Sequence, residues 1–169
     1  MIHVLQFPYN GEPPRSRLVE TEITGNRDFF VRNHGGVPEI DASTLFLELE
    51  GLVKSPKKLT LADLKNGKKF KHQSTVVSIQ CSGTRRIEQI HEYPGDSDEL
   101  INAPWSGGAI GTARWTGVSL RSVIEYCGGL AAQGENGEEV EEEDVHMEFY
   151  GADTYFKKGQ VCNYVVSVP

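Results

Sequence analysis

The 169-residue chain has no apolar run near the ~18 residues a membrane-spanning helix needs. Cysteine is scarce. Three (Cys81, Cys127 and Cys162) are an odd count that cannot form a disulfide framework, so a reducing compartment fits best. No CxxC pair, HExxH or Cys/His ladder is present, which argues against a structural zinc site. Residues Met1 to Tyr9 carry neither the basic and apolar regions of a secretory signal nor the Arg/Ser-rich pattern of a transit peptide. The expectation is a soluble intracellular protein, cytoplasmic or mitochondrial. Basic residues are scattered rather than interleaved with aromatics, so neither nucleic acid nor a membrane surface is an expected partner. There is no internal repeat.

Apolar residues at 38%, with 18 glycines beside them, suit a globular chain and exclude a rod or a disordered polymer. The length suits one domain, residues 1–169, or part of a larger one. The net charge of −7 is a local matter. Residues 135–144 hold seven of the 24 acids, and the 17 left equal the 17 lysines and arginines. That run reads as a solvated insertion loop.

Residues 1–28, rich in Pro, Gly and charge, read as an extended lead-in. Thr44 to Glu50 alternates, with Leu45, Leu47 and Leu49 on one face, which predicts a half-buried strand. Lys54 to Lys58 is a turn around Pro56. Thr60 to Gly67 predicts a short helix with a capping threonine, two leucines three apart and a terminal glycine. Lys71 to Gln80, with its β-branched residues, is a strand broken by Cys81-Ser82-Gly83. Residues 91–111, with Pro94 and Pro104, read as a long irregular loop. Ser119 caps a second helix, on which Leu120, Val123, Ile124 and Cys127 share a face before Gly128-Gly129 stops it. That phase makes Cys127 a core residue. Strands follow around 145–150 and 161–168. The pattern is α+β with the β part dominant. The chain ends within a strand or its exit, which reads as a fragment of a longer fold.

Three patches could carry chemistry. Cys81 stands at a strand's exit, ahead of Ser-Gly and the Arg85-Arg86 pair. Two guanidiniums there would favour the thiolate, the form that attacks electrophiles or binds metals. A structural role for Cys81 stays equally open on spacing alone. Arg86 falls five positions after Cys81, the spacing of a rhodanese-type sulfurtransferase loop, whereas a phosphatase loop needs arginine where Ile87 stands. The second patch, residues 29–38, sets Arg32, Asn33 and His34 before a glycine pair and a proline. Extended backbone would send Arg32 and His34 to one side, suited to a phosphate-bearing ligand, and an ordinary solvated turn is the alternative. The third patch, Trp105 to Trp115, is glycine-rich without the order of a Rossmann or Walker loop.

In their order, Phe-Phe-Val-Arg-Asn-His with Val-Pro (29–38), Gln-Cys-Ser-Gly-Thr-Arg-Arg (80–86), Trp-Ser-Gly-Gly-Ala-Ile-Gly-Thr-Ala-Arg-Trp-Thr-Gly (105–117) and Tyr-Gly-Ala-Asp (150–153) carry a family resemblance. The chain resembles the molybdopterin-binding domain of the sulfite oxidase and eukaryotic nitrate reductase family over roughly residues 20–169. The resemblance implies a sulfite oxidase-type fold, of which this chain would be the N-terminal part. It implies a molybdenum–molybdopterin cofactor with Cys81 as the metal ligand. Phe30, Val31, Arg32, Asn33 and His34, with Asp153, would contact the pterin and its phosphate. Arg32, Arg86 and Trp105 would shape the oxyanion pocket. The implied reaction is oxidation of sulfite to sulfate by oxo transfer, with nitrate reduction, sulfurtransfer through Cys81 or an inactive truncated fragment as alternatives. The electron acceptor is left open, no haem-binding domain is recognised before residue 20, and the family's dimerisation domain is not found. Ser82-Gly83-Thr84 departs from the Ala-Gly-Asn more usual in the family. His34 to Pro38 leans toward nitrate reductases and Ala113 to Gly117 toward sulfite oxidases.

Overall fold

The structure is a computed structural model that describes residues 1–93, 103–131 and 145–169. The acidic run 135–144 and residues 94–102 of the expected loop 91–111 lie outside the described residues. The described elements run β1 (Ile2–Leu5), β2 (Asn10–Glu12), α1 (Arg15–Leu18), β3 (Phe46–Leu49), β4 (Lys57–Thr60), α2 (Leu61–Lys65), β5 (His72–Gln80), α3 (Arg86–Glu92), β6 (Ile110–Val118), α4 (Leu120–Tyr126), β7 (Met147–Lys157) and β8 (Gln160–Val168). Strands outweigh helices, as an α+β fold dominated by β requires. No helix among the described residues is long and apolar enough to cross a membrane.

The chain forms two compact units. The first holds residues 1–38, 76–115 and 151–164. Here the lead-in expectation is corrected. Residues 2–12 form an antiparallel hairpin of β1 and β2, irregular between His3 and Leu5. Backbone pairing with a neighbouring segment stabilises it, since Gly11 and Val31 exchange both N–H···O bonds at 2.9 and 2.8 Å. Its core is Ala103, Trp105 and Ala109, packed by Val4, Leu5, Phe30 and Cys81. In β5 and β6, Ser78 bonds Thr112 through their hydroxyls at 2.6 Å. The expected strands at 145–150 and 161–168 prove to be the longer β7 and β8, so Gly-Ala-Asp (151–153) lies within a strand. A two-residue turn joins them, with Lys158 and Gly159 both at positive φ (50° and 81°).

The second unit holds residues 39–75, 116–150 and 165–169. Leu49, Val53, Leu59, Phe70, Val123 and Cys127 form its core. The expected face of Leu45, Leu47 and Leu49 is only partly buried. Leu49 is 8% exposed, but Leu45 and Leu47 are 37% and 40% exposed. A two-stranded ribbon of β3 and β4 seats only its core-proximal residue, and alternation alone fixes a face rather than its depth. β4 itself occupies residues read as part of a turn. Its lysines are weak strand formers, and the cross-strand register to β3 carries it, with Lys58 stacked over the Phe46 ring at 3.2 Å.

Helix α2 begins where the sequence places it. Thr60 Oγ1 accepts from Asp63 N–H at 3.1 Å and Asp63 accepts from Thr60 N–H at 2.9 Å, a complete capping box. Its end differs, since Asn66 in extended backbone closes it rather than Gly67. Helix α4 matches expectation, with Ser119 accepting from Ser122 N–H and Gly128 and Gly129 at φ 84° and 81° stopping it. Cys127 is fully buried beneath it.

The capping box yields two predictions. Thr60→Ala should cost about 1 kcal/mol in chemical denaturation, the usual loss of an N-cap acceptor. The hydrogen bond from Lys69, aided by Thr60 N–H and hydroxyl, lowers the Asp63 pKa from 3.8 to about 2. A carboxylate lowered in the folded state stabilises above its unfolded pKa and loses that contribution as pH falls through the folded one. The stability gap between the parent and Asp63→Asn should therefore hold above about pH 4 and close between pH 3.8 and about 2. Urea midpoints measured across that range check it.

Candidate functional site

The Cys81 loop starts where β5 ends and is closed by its own turn. Thr84 N–H donates to the Cys81 carbonyl and Arg86 N–H to that of Gly83, both at 3.0 Å. Arg85 takes the left-handed conformation (φ 66°) at the entry to α3. A short helix, α3, thus follows the loop, and only its last two residues fall within the stretch 91–111 expected to be irregular. Segment 103–109 lies against this loop and is bonded to it strand-fashion. Cys81 N–H donates to Ala109 O at 3.0 Å, Arg85 N–H to Ser106 O at 2.7 Å and Ile87 N–H to Trp105 O at 3.0 Å. The Thr84 hydroxyl donates to Ala109 O at 3.0 Å. Gly83 is needed here, because a Cβ would meet Trp105 Cδ1 at 3.0 Å and the Arg86 guanidinium at 3.2 Å.

The arginine pair divides its labour. Arg85 turns outward and grips Glu88 on the same face of α3, a pairing that holds the Glu88 carboxyl below its usual range. The expectation that both guanidiniums face Cys81 is thus corrected. Arg86 is the one beside it, with its Nε buried and unpartnered among the described residues. A buried N–H without an acceptor is costly, which marks a place where a ligand acceptor fits.

These residues open onto a cavity of about 550 Å³ in the first unit, a size suited to a small-molecule or cofactor site. Cys81, Ser82, Gly83 and Arg86 line one part and Trp105 and Ala103 another. Arg32, Asn33 and His34 line a third, with Leu5, Phe7, Pro8 and Asn10. Three separate sequence patches thus converge. The lining, among the described residues, holds two arginines and a histidine and no carboxylate, so it favours an anion. Among the described residues there is no cluster of three His, Cys, Asp or Glu able to cage a metal. Cys81 offers a single soft donor, which suits a metal whose other ligands come with an organic cofactor.

The other expected site residues have different places. Phe30 meets Trp105 edge-on (6.3 Å, 85°) as part of the core, and Val31 holds its segment to Gly11 through the backbone. Neither lines the cavity. Arg32 Nη2 bonds His34 Nδ1 at 3.1 Å, and Tyr155 of β7 presents an edge-on ring to His34 at 4.5 Å. Asp153 is half-buried on β7, its carboxylate turned toward Gly151, outside the cavity lining. The strand nonetheless reaches the patch, because a Cβ on Gly35 would stand 2.1 Å from the Thr154 carbonyl.

Two buried polar residues escaped sequence reasoning. Asn10 accepts from Asn33 N–H at 3.0 Å and donates to Pro8 O at 2.8 Å, while Asn33 Nδ2 donates to Tyr9 O at 2.6 Å. Glu12 accepts from Ser106 N–H at 3.0 Å, Gly108 N–H at 2.9 Å and the Ser106 hydroxyl. Both are 2% exposed. Apart from the Pro8 carbonyl, their partners lie 23 to 96 residues away, so the local sequence carries little sign of burial beyond a short polar run bounded by prolines.

With the geometry in place, comparison with known proteins gives a consistent result. The family model described as the oxidoreductase molybdopterin binding domain matches residues 34–169. Sulfite oxidase of Gallus gallus is 38% identical over 123 residues, covering 73% of this chain and 25% of that protein. An NAD(P)H nitrate reductase of Hordeum vulgare is 41% identical over 130 residues, covering 75% of this chain and 14% of that protein. The solved sulfane dehydrogenase SoxCD from Paracoccus pantotrophus, at 23% identity and a TM-score of 0.57, covers 81% of this chain and 30% of its own, and shares the fold. The chain spans a quarter or less of the length of these two curated relatives.

Removing the Asn10 side chain should leave Asn33 N–H without its acceptor inside the protein. Asn10→Ala is expected to lose about 1–3 kcal/mol of stability, read from denaturant midpoints at constant m-value.

Proposed function

The chain belongs to the oxidoreductase molybdopterin-binding domain family, and we propose that it forms part of a molybdenum-cofactor-dependent oxidoreductase that oxidises sulfite to sulfate. The observation that carries this reading is the meeting of Cys81, Arg32 and Arg86 in one cavity, with no carboxylate among the described lining residues. A soft thiolate and two guanidiniums match a cofactor-borne metal next to a small dianion. The unpartnered Nε of Arg86 supports an acceptor there.

In this reading Cys81 would be the protein's ligand to molybdenum, held at the end of β5 by its N–H bond to Ala109. Arg32, Asn33 and His34 would hold the pterin and its phosphate. Phe30 and Val31 would set that segment's path from behind, and Asp153 would add a contact from β7. When bound, the cofactor supplies two-electron oxo transfer, so that sulfite and water become sulfate with two protons and two electrons that pass to an acceptor. The chain's own residues bind and orient. Arg86 and Arg32 would offset the desolvation of the oxyanion, and Trp105, 2% exposed, walls the pocket. His34, bonded to Arg32, keeps that guanidinium aimed into the cavity. No general acid or base is required of these side chains for oxo transfer. A cytoplasmic or mitochondrial setting suits the free cysteines.

Nitrate reduction is the second reading, favoured by the barley relative and by the His34 to Pro38 patch. The Ala113 to Gly117 patch supports sulfite. Assays of sulfite with ferricyanide and of nitrate with reduced viologen separate the two.

Purified from a host that makes the cofactor, the protein should carry near-stoichiometric molybdenum by mass spectrometry, and Cys81→Ser very little. Equal metal in both would sink the ligand assignment. Arg32→Ala or Arg86→Ala should raise the sulfite KM about ten- to a hundredfold, the cost of a charge-assisted contact. A normal KM with a lowered Tm would make those arginines structural instead.

A further inference from the structure

Glu12 is a buried carboxylate that lies outside the cavity. Both of its oxygens are used, Oε1 by Ser106 N–H and the Ser106 hydroxyl, and Oε2 by Gly108 N–H. Burying a charge is unfavourable unless such donors meet it, and no salt bridge to Glu12 occurs among the described residues. What the three donors achieve is therefore informative. The peptide joining Trp105 to Ser106 gives its N–H to Glu12 and its carbonyl to Ile87 N–H, on the first turn of α3. An anion at one end of a peptide polarises it and strengthens its carbonyl as an acceptor at the other. The next carbonyl, of Ser106, accepts from Arg85 N–H at 2.7 Å. Arg86 sits between those two anchored residues.

We propose that Glu12 is a positioning residue for the anion site. Acting through segment 105–108, its charge fixes the backbone on both sides of Arg86 and so sets where that guanidinium meets a bound oxyanion. The proposal rests on the reading of Arg86 as an oxyanion contact. Glutamine cannot take the place of Glu12 well. It has one accepting oxygen, and its NH2 would face the N–H of Gly108.

The test uses sulfate as probe and follows its binding to the full chain by isothermal titration calorimetry, a readout that does not depend on whether Cys81 carries metal. Glu12→Gln should weaken sulfate binding at least tenfold, and Glu12→Asp, which keeps the charge, should restore most of it. Arg86→Ala should lose as much as Glu12→Gln, and the double variant no more than Arg86→Ala alone, because both changes act on one contact. A sulfate affinity for Glu12→Gln within twofold of the parent, or losses that add in the double variant, would overturn the proposal. Absence of sulfate binding in the parent would overturn it too. If Glu12→Gln does not fold, Ser106→Ala carries the test, since it removes the hydroxyl donor and keeps the N–H. It should weaken sulfate two- to fivefold in the parent and have no effect beside Arg86→Ala, and equal effects in both backgrounds would reject the idea. Molybdenum content of the parent is measured alongside. Metal present with sulfate affinity indifferent to Glu12 rejects the positioning role alone, whereas absent metal rejects the cofactor reading alone.

Discussion

The cavity depends on one backbone segment having a fixed path. Residues 103–109 have no helix or ladder of their own to hold them, yet they bond Cys81, Arg85 and Ile87 and present Trp105. Their donors must be met from elsewhere, and Glu12 meets those of Ser106 and Gly108 at once. A single carboxylate can do so because its two oxygens are spaced like two peptide donors on one side of a turn. Gly107 and Gly108 allow the approach, since a Cβ on Gly108 would stand 2.7 Å from the Pro13 carbonyl. The Cys81 loop is then built on the segment.

Adjacent arginines with opposite fates illustrate how backbone conformation creates a site. Arg85 adopts a left-handed conformation that costs a non-glycine residue about 1 kcal/mol or more. That twist turns its side chain to solvent and Glu88, and leaves Arg86 pointing inward. Two like charges packed side by side would repel. Separating them lets the interior keep one guanidinium with a free donor.

Much of this was legible where the information is local. The apolar phase of Leu120, Val123 and Cys127 and the cap at Ser119 define α4, and Thr60 defines the start of α2. Cys81, Arg32, Asn33, His34, Arg86 and Trp105 stood out because they fall in motifs that, taken in order, resemble one family, and the cavity gathers all six. What stayed hidden depends on distant partners. β4 owes its strand to the register with β3, and the first hairpin owes its place to Val31. The glycines that suggested a loop belong in part to β6, where Gly111 makes room for the Phe29 ring. Asn10 and Glu12 look like surface residues until their partners are known.

The 94-residue separation of Glu12 from Ser106 also sets an order in time. A ribosome adding about 5–20 residues per second reaches Ser106 on the order of 5–20 s after Glu12. Until then the carboxylate is hydrated and the turn after β5 has nothing to close upon. The thiol of Cys81 is made only 25 residues before Ser106, so it waits about 1–5 s for the segment that covers it. The order of the chain thus supplies the covering segment soon after the thiol it covers, whereas the carboxylate that fixes that segment has been waiting since the first hairpin was made.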